Sequence, residues 1–427
     1  MRVPLVERFR AGGAISPLVL FPAIWLLGIA LAQIHLLQVQ RPWSTTMWLV
    51  VAAVPIAFIL GGMIGGEVAL ARAVPADERQ AASTRAVRAA LAACVALGWL
   101  EEIHQWVAAK AVPLLSSNID AARFRQPGGL TIVLTDLLTV AAIVSLTLPR
   151  NPFARSARFE LGIAFAALAG FLLAGGRGTV VLPVVGAVFA RLLYWGMPRA
   201  RHILAVAVIG LVLVSGLFYI RTAQHRTTDA FSQELYQRVL PSTPSALWPL
   251  VPIDIGIATN YEALARIVDY FPSDAPFGHG LYDAAGLHRF IHNARYLVPI
   301  SQQLSSPWVT TTVAGPFWAD GGMAGVVVGT ALIGLLTTAT YWYARRTREL
   351  RHALVAGYFL FLAVFGFYAN IWTQQVDWLL VAPLLFALGS LAERRSPLPG
   401  HLGGWAGSAY QGLVARARRG VYGFRHG

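Results

Sequence analysis

Side chains that could do chemistry are concentrated in residues 221–309, where arginines, histidines and carboxylates interrupt an otherwise apolar chain. Arginine suits bidentate binding of phosphate groups, and histidine or carboxylate side chains can accept a proton from a reacting hydroxyl. These residue types in one stretch predict a site that binds an anionic group and handles a polar substrate.

Five arginines are candidates for the anionic group. Arg177 lies in the sequence Leu-Ala-Gly-Gly-Arg-Gly-Thr-Val, a tight turn whose glycines leave the guanidinium little neighbouring bulk. Arg221 and Arg226 directly follow an apolar segment, where they could grip a diphosphate at head-group depth. The alternative is an interfacial arginine that only contacts lipid head groups. The candidates for binding a substrate diphosphate are Arg177, Arg221, Arg226, Arg289 and Arg295.

Two histidines and two aspartates are candidate proton acceptors. His288, His292 and Arg295 would share one helical face at i, i+4 and i+7. This resembles half of a zinc site, but the HExxH pattern and a third ligand are absent from the sequence, so no metal is predicted. Asp320 falls at a membrane boundary, where an ionisable residue is a functional candidate, although a carboxylate also stabilises a helix start. The candidate bases are Asp283, His288, His292 and Asp320.

Four further residues suit contact with a sugar. His279 lies in the turn Pro-Phe-Gly-His-Gly, whose glycines permit close approach of a backbone. Trp308 and Trp318 could stack on sugar rings or belong to the aromatic belt of a membrane protein. The candidate sugar contacts are His279, Trp308, Thr311 and Trp318.

Composition places these residues in a membrane protein. The chain is 56% hydrophobic and 13% charged with a mean hydropathy of +0.58, whereas a soluble domain is about 25% charged. The net charge of +14 favours arginine-rich cytoplasmic loops over nucleic acid binding. The single cysteine, Cys94, excludes an internal disulfide. Glu101, Glu102 and Asp136 interrupt apolar segments, with structural pairing and proton coupling both open.

About ten segments are apolar enough to cross a bilayer as helices, each of which needs about 20 residues. They are residues 17–37, 47–66, 89–111, 128–148, 159–175, 178–196, 202–220, 317–343, 353–371 and 376–392. Arginines are frequent in alternate connections, as the positive-inside rule requires. The pattern predicts cytoplasmic termini, a retained signal anchor in the first segment and an outward-facing loop after the seventh.

The predicted organisation is an all-α polytopic membrane protein with four parts. These are helices 1–7 in residues 1–220, a large extracytoplasmic loop in residues 221–316, helices 8–10 in residues 317–395 and a basic cytoplasmic tail in residues 396–427. Within the loop, residues 230–240 and 261–270 have helical periodicity. They predict short amphipathic helices that lie as a cap over the outer face of the bundle.

Several of these motifs together resemble the bacterial O-antigen polymerases (Wzy-type repeat-unit polymerases) and, more distantly, the O-antigen ligases. The resemblance covers roughly residues 160–345. It rests on the Gly-Gly-Arg-Gly turn, the large loop before the last segments, the Pro-Phe-Gly-His-Gly turn, and three threonines followed by Phe-Trp-Ala-Asp-Gly-Gly-Met-Ala-Gly. The histidine-rich strip at residues 287–295 departs from the family pattern, so the sugar contacts in the loop stay open.

The resemblance implies a GT-C-like, metal-independent glycosyltransferase in the bacterial cytoplasmic membrane, without a cofactor. Its substrate would be a polyprenyl-diphosphate-linked oligosaccharide, and membrane lipid, a chain-length regulator and a flippase would be its partners. The arginines would neutralise the leaving diphosphate, and one of the four candidate bases would activate the acceptor hydroxyl. The alternatives are a ligase that uses another acceptor, a lipid-linked glycan transporter and a non-enzymatic assembly partner.

Overall fold

The chain is helical wherever the computed structural model describes it. The described residues are 15–38, 40–71, 84–117, 119–126, 130–152, 154–175, 177–196, 200–226, 230–280, 282, 311–368, 372 and 375–392. Helices, turns and short connections make up these residues and none of them is in a β-strand. The all-α prediction is therefore confirmed for this part of the chain.

Thirteen helices are labelled here in chain order. They are α1 Pro17–Ala32, α2 Thr45–Ala71, α3 Thr84–Ala109, α4 Ile119–Phe124, α5 Asp136–Thr147, α6 Arg158–Leu173, α7 Arg177–Tyr194, α8 Ala200–Gln224, α9 Ala230–Glu234, α10 Val251–Tyr270, α11 Ala314–Thr347, α12 Leu350–Phe365 and α13 Gln375–Ala392. A π-helical turn, Leu235–Val239, follows α9 directly. Each of the ten predicted apolar segments overlaps one of the longer helices.

Within the described residues, three helical stretches are long and apolar enough to cross a membrane: Thr45–Ala71, Arg155–Leu173 and Ala314–Thr347. Five shorter helices are also apolar. Large apolar side chains such as Leu49, Ile64 and Phe165 point away from the protein, as expected where helices face lipid. The fold is that of a helical membrane protein, while the count of ten crossings stays a prediction.

Helices α2 and α11 pack with their backbones in close contact. A β-carbon placed on Gly61 would lie 1.8 Å from the carbonyl oxygen of Ala331, and one on Gly65 would lie 2.2 Å from that of Leu335. Small residues allow this approach, which is a common basis of helix association in membranes. This pair of helices forms the central seam of the bundle.

The Gly65→Leu variant is expected to unfold at least about 5 °C below wild type, because its side chain would enter the space of the α11 backbone. Gly162→Leu is the matched control, since nothing lies within 4 Å of a β-carbon placed on Gly162. The measurement is thermal unfolding of both variants in the same detergent. Equal unfolding temperatures would contradict the close packing of α2 on α11.

Helix α11 reverses direction near its start. Gly321 and Gly322 have non-helical backbone angles, with φ values of −145° and 56°. A β-carbon on Gly325 would lie 2.2 Å from the carbonyl oxygen of Phe317, so the segment before the break folds back on the segment after it. The sequence placed Asp320 in the first turn of a span beginning near Phe317, and this was wrong. Asp320 instead ends a short helical segment that begins at Ala314.

Helix α10 is longer and more buried than the sequence predicted. The predicted amphipathic helix over residues 261–270 is the second half of Val251–Tyr270, which is buried on most of its surface. The Tyr261 hydroxyl donates to the Trp25 carbonyl oxygen at 3.2 Å, and its ring stacks on Trp43 at 5.7 Å. Glu262 pairs with Arg266 at 2.9 Å on α10 itself and with Arg41 before α2.

Helix α10 lies across the end of the bundle where α1, α3, α6 and α8 end, and where α2 and α7 begin. It contacts α1, α2, α8 and α11. We call this end, which carries α4 and α10, the cap end. All candidate site residues that the structure describes lie here.

Candidate functional site

The segments that carry Arg177 and Arg221 both contact α4. Gly175, with φ of 70°, ends the turn before Arg177, the first residue of α7. Ile119 of α4 packs on that turn, because a β-carbon on Gly175 would lie 2.5 Å from Ile119 Cγ2. The Ile119 N–H also donates to Gln224 Oε1 at 3.3 Å. Helix α4 thus brings the start of α7 beside the last turn of α8, which carries Arg221.

Arg123 of α4 is a third arginine in this region, and the sequence did not single it out. Its Cδ lies 3.8 Å from the position of a β-carbon on Gly175. It interacts electrostatically with Glu102, which is buried beside Glu101 at the cap end of α3. The Gln105 side chain donates to Glu101 at 2.5 Å. Two adjacent carboxylates in an apolar helix predict a partner for their charge. Only the fold identifies Arg123 as the partner of Glu102.

Arg226 is exposed and lines a cavity that opens at the surface of the protein. Its guanidinium lies over the Tyr236 ring, 4.7 Å from the centroid. The Tyr236 hydroxyl is within 3.3 Å of Thr222 Oγ1 and of the Tyr219 carbonyl oxygen, which ties the π-helical turn to α8. Together with Gln233 and Gln237, Arg226 and Tyr236 line a cavity of about 300 Å³.

Asp320 and the Pro-Phe-Gly-His-Gly turn form a second group, at the end of α10. The buried Asp320 carboxylate accepts the Tyr282 N–H at 3.2 and 3.0 Å. The Gly278 N–H donates to the Ala319 carbonyl at 2.9 Å and the His279 N–H to that of Asp320 at 3.2 Å. A β-carbon on Gly278 would lie 2.5 Å from Asp320 Oδ1, so only glycine fits there. Two motifs distant in the sequence therefore meet at one carboxylate.

The predicted sugar contacts in this group differ in accessibility. The His279 side chain is exposed, and the half-buried Thr311 has a hydroxyl that makes no hydrogen bond within the described part of the chain. Trp318 is 6% exposed, and its indole N–H donates to the Phe271 carbonyl at 3.1 Å. Trp318 therefore joins α10 to α11, and its burial does not favour the predicted sugar contact.

Asp254, near the start of α10, is a buried carboxyl that the sequence did not single out. Neither of its carboxylate oxygens has a hydrogen-bond partner in the part of the chain that the structure describes. Burial raises its pKa to about 6. A carboxyl with a perturbed pKa and free acceptor atoms is a candidate for proton transfer, so Asp254 joins Asp320 among the candidate bases.

The two groups lie toward opposite ends of α10. Val251 and Ile255 pack with Phe218, one turn before Arg221, whereas Phe271 contacts the Asp320 group. A 20-residue helix is about 30 Å long. The structure thus packs α4 against the turn before α7 and the last turn of α8, and it joins Asp320 to the turn that carries His279. Within the described residues, these two groups do not form one contact network.

Six predicted site residues lie outside the described residues, and their roles stay predictions. They are Asp283, His288, Arg289, His292, Arg295 and Trp308. For Arg177 only the position in α7 is described. Within the described residues, no group of three histidine, cysteine, aspartate or glutamate side chains could hold a metal ion.

A family described as "Putative O-antigen polymerase" matches residues 15–241, more than half of the 427-residue chain. The chain belongs to the O-antigen polymerase family. The resemblance predicted from the sequence is therefore confirmed at the level of the family, whose membership gives a membrane protein with a role in glycan polymerisation. Comparison with curated proteins and comparison with solved structures each give no match.

The family match and the predicted motifs overlap only in part. The match covers α1 to the π-helical turn and so includes the turn before Arg177, together with Arg221, Arg226 and the cavity. It ends before the Asp320 group, although the sequence-based resemblance extended to about residue 345. The arginines around α4 are thus the candidate site residues that lie within the matched part of the chain.

Proposed function

We propose that this O-antigen polymerase family member joins polyprenyl-diphosphate-linked oligosaccharide repeat units into a surface polysaccharide. The reaction takes place at the cap end, which faces away from the cytoplasm of a bacterial inner membrane, with both termini of the chain cytoplasmic. A chain-length regulator and a flippase are the expected partners. The assignment of repeat-unit polymerisation rests on the chemistry of the cap-end residues and not on the family alone.

The packing of α4 against two other segments that carry arginines, the start of α7 and the last turn of α8, is the observation that supports this proposal. Arg123, Arg177 and Arg221 come from three different elements, and the buried pair Glu101–Glu102 faces Arg123. A lipid diphosphate carries several negative charges at head-group depth, where guanidinium groups bind phosphate oxygens in a forked geometry. A group of this kind suits an anionic lipid head group better than a neutral one.

The reaction needs few catalytic parts, because the donor already carries a good leaving group. The bond between sugar C1 and the diphosphate oxygen breaks, and the acceptor hydroxyl oxygen forms the new bond to C1. The hydroxyl proton passes to a base, for which Asp320 and Asp254 are the described candidates. The diphosphate leaves on its lipid, and arginines neutralise the charge that develops there.

The distance along α10 between the arginines around α4 and the Asp320 group fits a reaction between two lipid-linked glycans. Donor and acceptor each carry a diphosphate, but only the donor's diphosphate lies at the reacting centre. The acceptor's reacting hydroxyl is at the far end of its oligosaccharide. An acceptor anchored at the arginines around α4 could therefore extend its glycan along α10 toward the Asp320 group.

Purified protein in nanodiscs, given a synthetic polyprenyl-diphosphate oligosaccharide, is expected to produce a ladder of longer lipid-linked glycans. Arg221→Ala is expected to lower kcat/KM about 10- to 100-fold, because charge-assisted hydrogen bonds to the diphosphate are lost. Arg85→Ala is the matched control, since Arg85 is exposed at the opposite end of the bundle. Product length is read by gel electrophoresis and mass spectrometry.

Three outcomes would redirect the assignment. Transfer only to a non-prenyl acceptor supplied in the same assay would indicate a ligase. Movement of the lipid-linked glycan across a vesicle membrane without a new glycosidic bond would indicate a transporter. Folded protein with neither activity would contradict an enzymatic role.

A further inference from the structure

The cavity beside Arg226 is built by a segment that is firmly held on its other side. Glu234 and Arg238 pair with each other, Arg238 also donates to the Leu36 carbonyl, and the Gln38 N–H donates to Glu234 at 2.7 Å. These contacts fix α9 and the π-helical turn to the connection between α1 and α2. The residues at 233, 236 and 237 are therefore held on a rigid wall of the cavity.

The backbone of this wall is itself unusual. Tyr236 and Gln237 belong to the five-residue π-helical turn Leu235–Val239. Such turns are less favourable than an α-helix and occur frequently at functional sites. The turn therefore marks this wall, rather than α9 or α10, as the segment whose local geometry departs from regular helix.

The lining residues have a distinct chemistry. Two glutamine amides offer donors and acceptors together, which matches neighbouring hydroxyl groups. Tyr236 adds an aromatic ring, and Arg226 a guanidinium that is stacked on the ring but has no carboxylate partner among the described residues. None of the described residues that line the cavity is acidic, and their amide, phenol and guanidinium groups suit a polyhydroxylated neutral or anionic ligand better than a cation.

The size of the cavity limits the ligand. At about 300 Å³ it lies at the lower end of ordinary ligand sites, which span about 300–1,000 Å³. That volume suits one or two sugar rings rather than a whole repeat unit. Arg226 is two residues beyond Gln224, which is bonded to α4, so the cavity lies next to the arginines around α4.

We propose that Gln233, Tyr236 and Gln237 form a sugar-binding subsite for the residue of the glycan next to the lipid diphosphate, with Arg226 between the sugar and the diphosphate. This inference rests on the proposed function for the identity of the lipid. The subsite recognises hydroxyl groups through the two amides. It thereby distinguishes a glycosylated prenyl diphosphate from the bare lipid.

A binding experiment tests the subsite without requiring turnover. The two probes are a prenyl diphosphate carrying the repeat unit of the source cells and the same prenyl diphosphate without sugar. The double variant Gln233→Ala/Gln237→Ala is expected to raise the Kd of the glycosylated probe about tenfold. The Kd of the bare probe should stay unchanged, and Ser245→Ala, exposed on the same segment outside the cavity, should alter neither.

An equal loss of affinity for both probes, or no loss for either, would overturn the subsite. Thermal unfolding of the double variant confirms that it is folded. If wild type binds the glycosylated probe more tightly than the bare one but makes no polymer, the proposed function fails and the subsite stands. If polymer forms while the double variant binds both probes as wild type does, the subsite fails and the function stands.

Discussion

Asp320→Ala is expected to reduce kcat for glycan transfer by about 10²- to 10⁴-fold, the usual contribution of a general base. The carboxylate is buried, and its position is fixed by the Tyr282 N–H at 3.0 Å. The same carboxylate sits against Gly278, so the alanine variant also removes the contact that holds the Pro-Phe-Gly-His-Gly turn. Initial rates at saturating lipid-linked substrate measure the effect.

Asp320→Asn separates proton transfer from positioning. The amide oxygen can still accept the Tyr282 N–H, but the side chain can no longer take a proton. If Asp320 is the base, both variants should lose activity. If Asp320 only anchors the loop, only the alanine variant should lose activity. Asp274→Asn serves as the matched control, because Asp274 is exposed and lies just before the Pro-Phe-Gly-His-Gly turn that Asp320 contacts. Near-normal kcat in Asp320→Asn would transfer the role of base to Asp254 or to the predicted residues in 283–310.

The arrangement at Asp320 shows how much local sequence can predict. The Pro-Phe-Gly-His-Gly and Trp-Ala-Asp-Gly-Gly motifs were both predicted as site elements, and the structure brings them together. Their hydrogen bonds join backbone groups some forty residues apart, which no local pattern encodes. The helix-start interpretation of Asp320 was wrong because two consecutive glycines inside an apolar segment fit a flexible span as well as a chain reversal.

The burial of helix α10 also could not be predicted from local sequence. Glu262, Arg266 and Asp269 gave residues 261–270 a polar face, which predicted an exposed amphipathic helix. In the fold, Arg41 from the distant connection before α2 lies 3.2 Å from Glu262 and 3.8 Å from Asp269. A charged face that is paired across the chain has the same sequence periodicity as one that faces water. The sequence did not predict Arg123 as a site residue for a similar reason, since its partner Glu102 belongs to another helix.

The sequence indicates where the arginines lie along the chain, but not which elements surround them. Tight glycine turns and residues next to apolar segments can be read from the sequence, because they follow from chain connectivity. Sequence could not show that α4 lies between Arg177 and Arg221, since α4 is only six residues long and has no strong periodicity. A helix without a recognisable sequence signal thus contacts both the turn before α7 and the last turn of α8.

Arg177→Ala is expected to lower kcat/KM about 10- to 100-fold, because the diphosphate of the bound acceptor lipid loses charge-assisted hydrogen bonds to the guanidinium. Arg177 begins α7 beside the turn that Ile119 and Arg123 contact, at the end of the bundle where we propose that the diphosphate binds. Arg177→Lys should recover only part of the activity, because an ammonium group cannot bind two phosphate oxygens in the forked geometry of a guanidinium.

The control for this prediction is Arg158→Ala, because Arg158 is exposed and begins α6 at the opposite end of the bundle, as Arg177 begins α7 at the cap end. Affinity for a sugar-free prenyl diphosphate should fall in Arg177→Ala and not in Arg158→Ala. Both variants should unfold at the wild-type temperature, which excludes a general loss of structure. Unchanged affinity and turnover in Arg177→Ala would make this residue an interfacial contact to lipid head groups. The diphosphate site would then have to be built from Arg123, Arg221 and the arginines of residues 283–310.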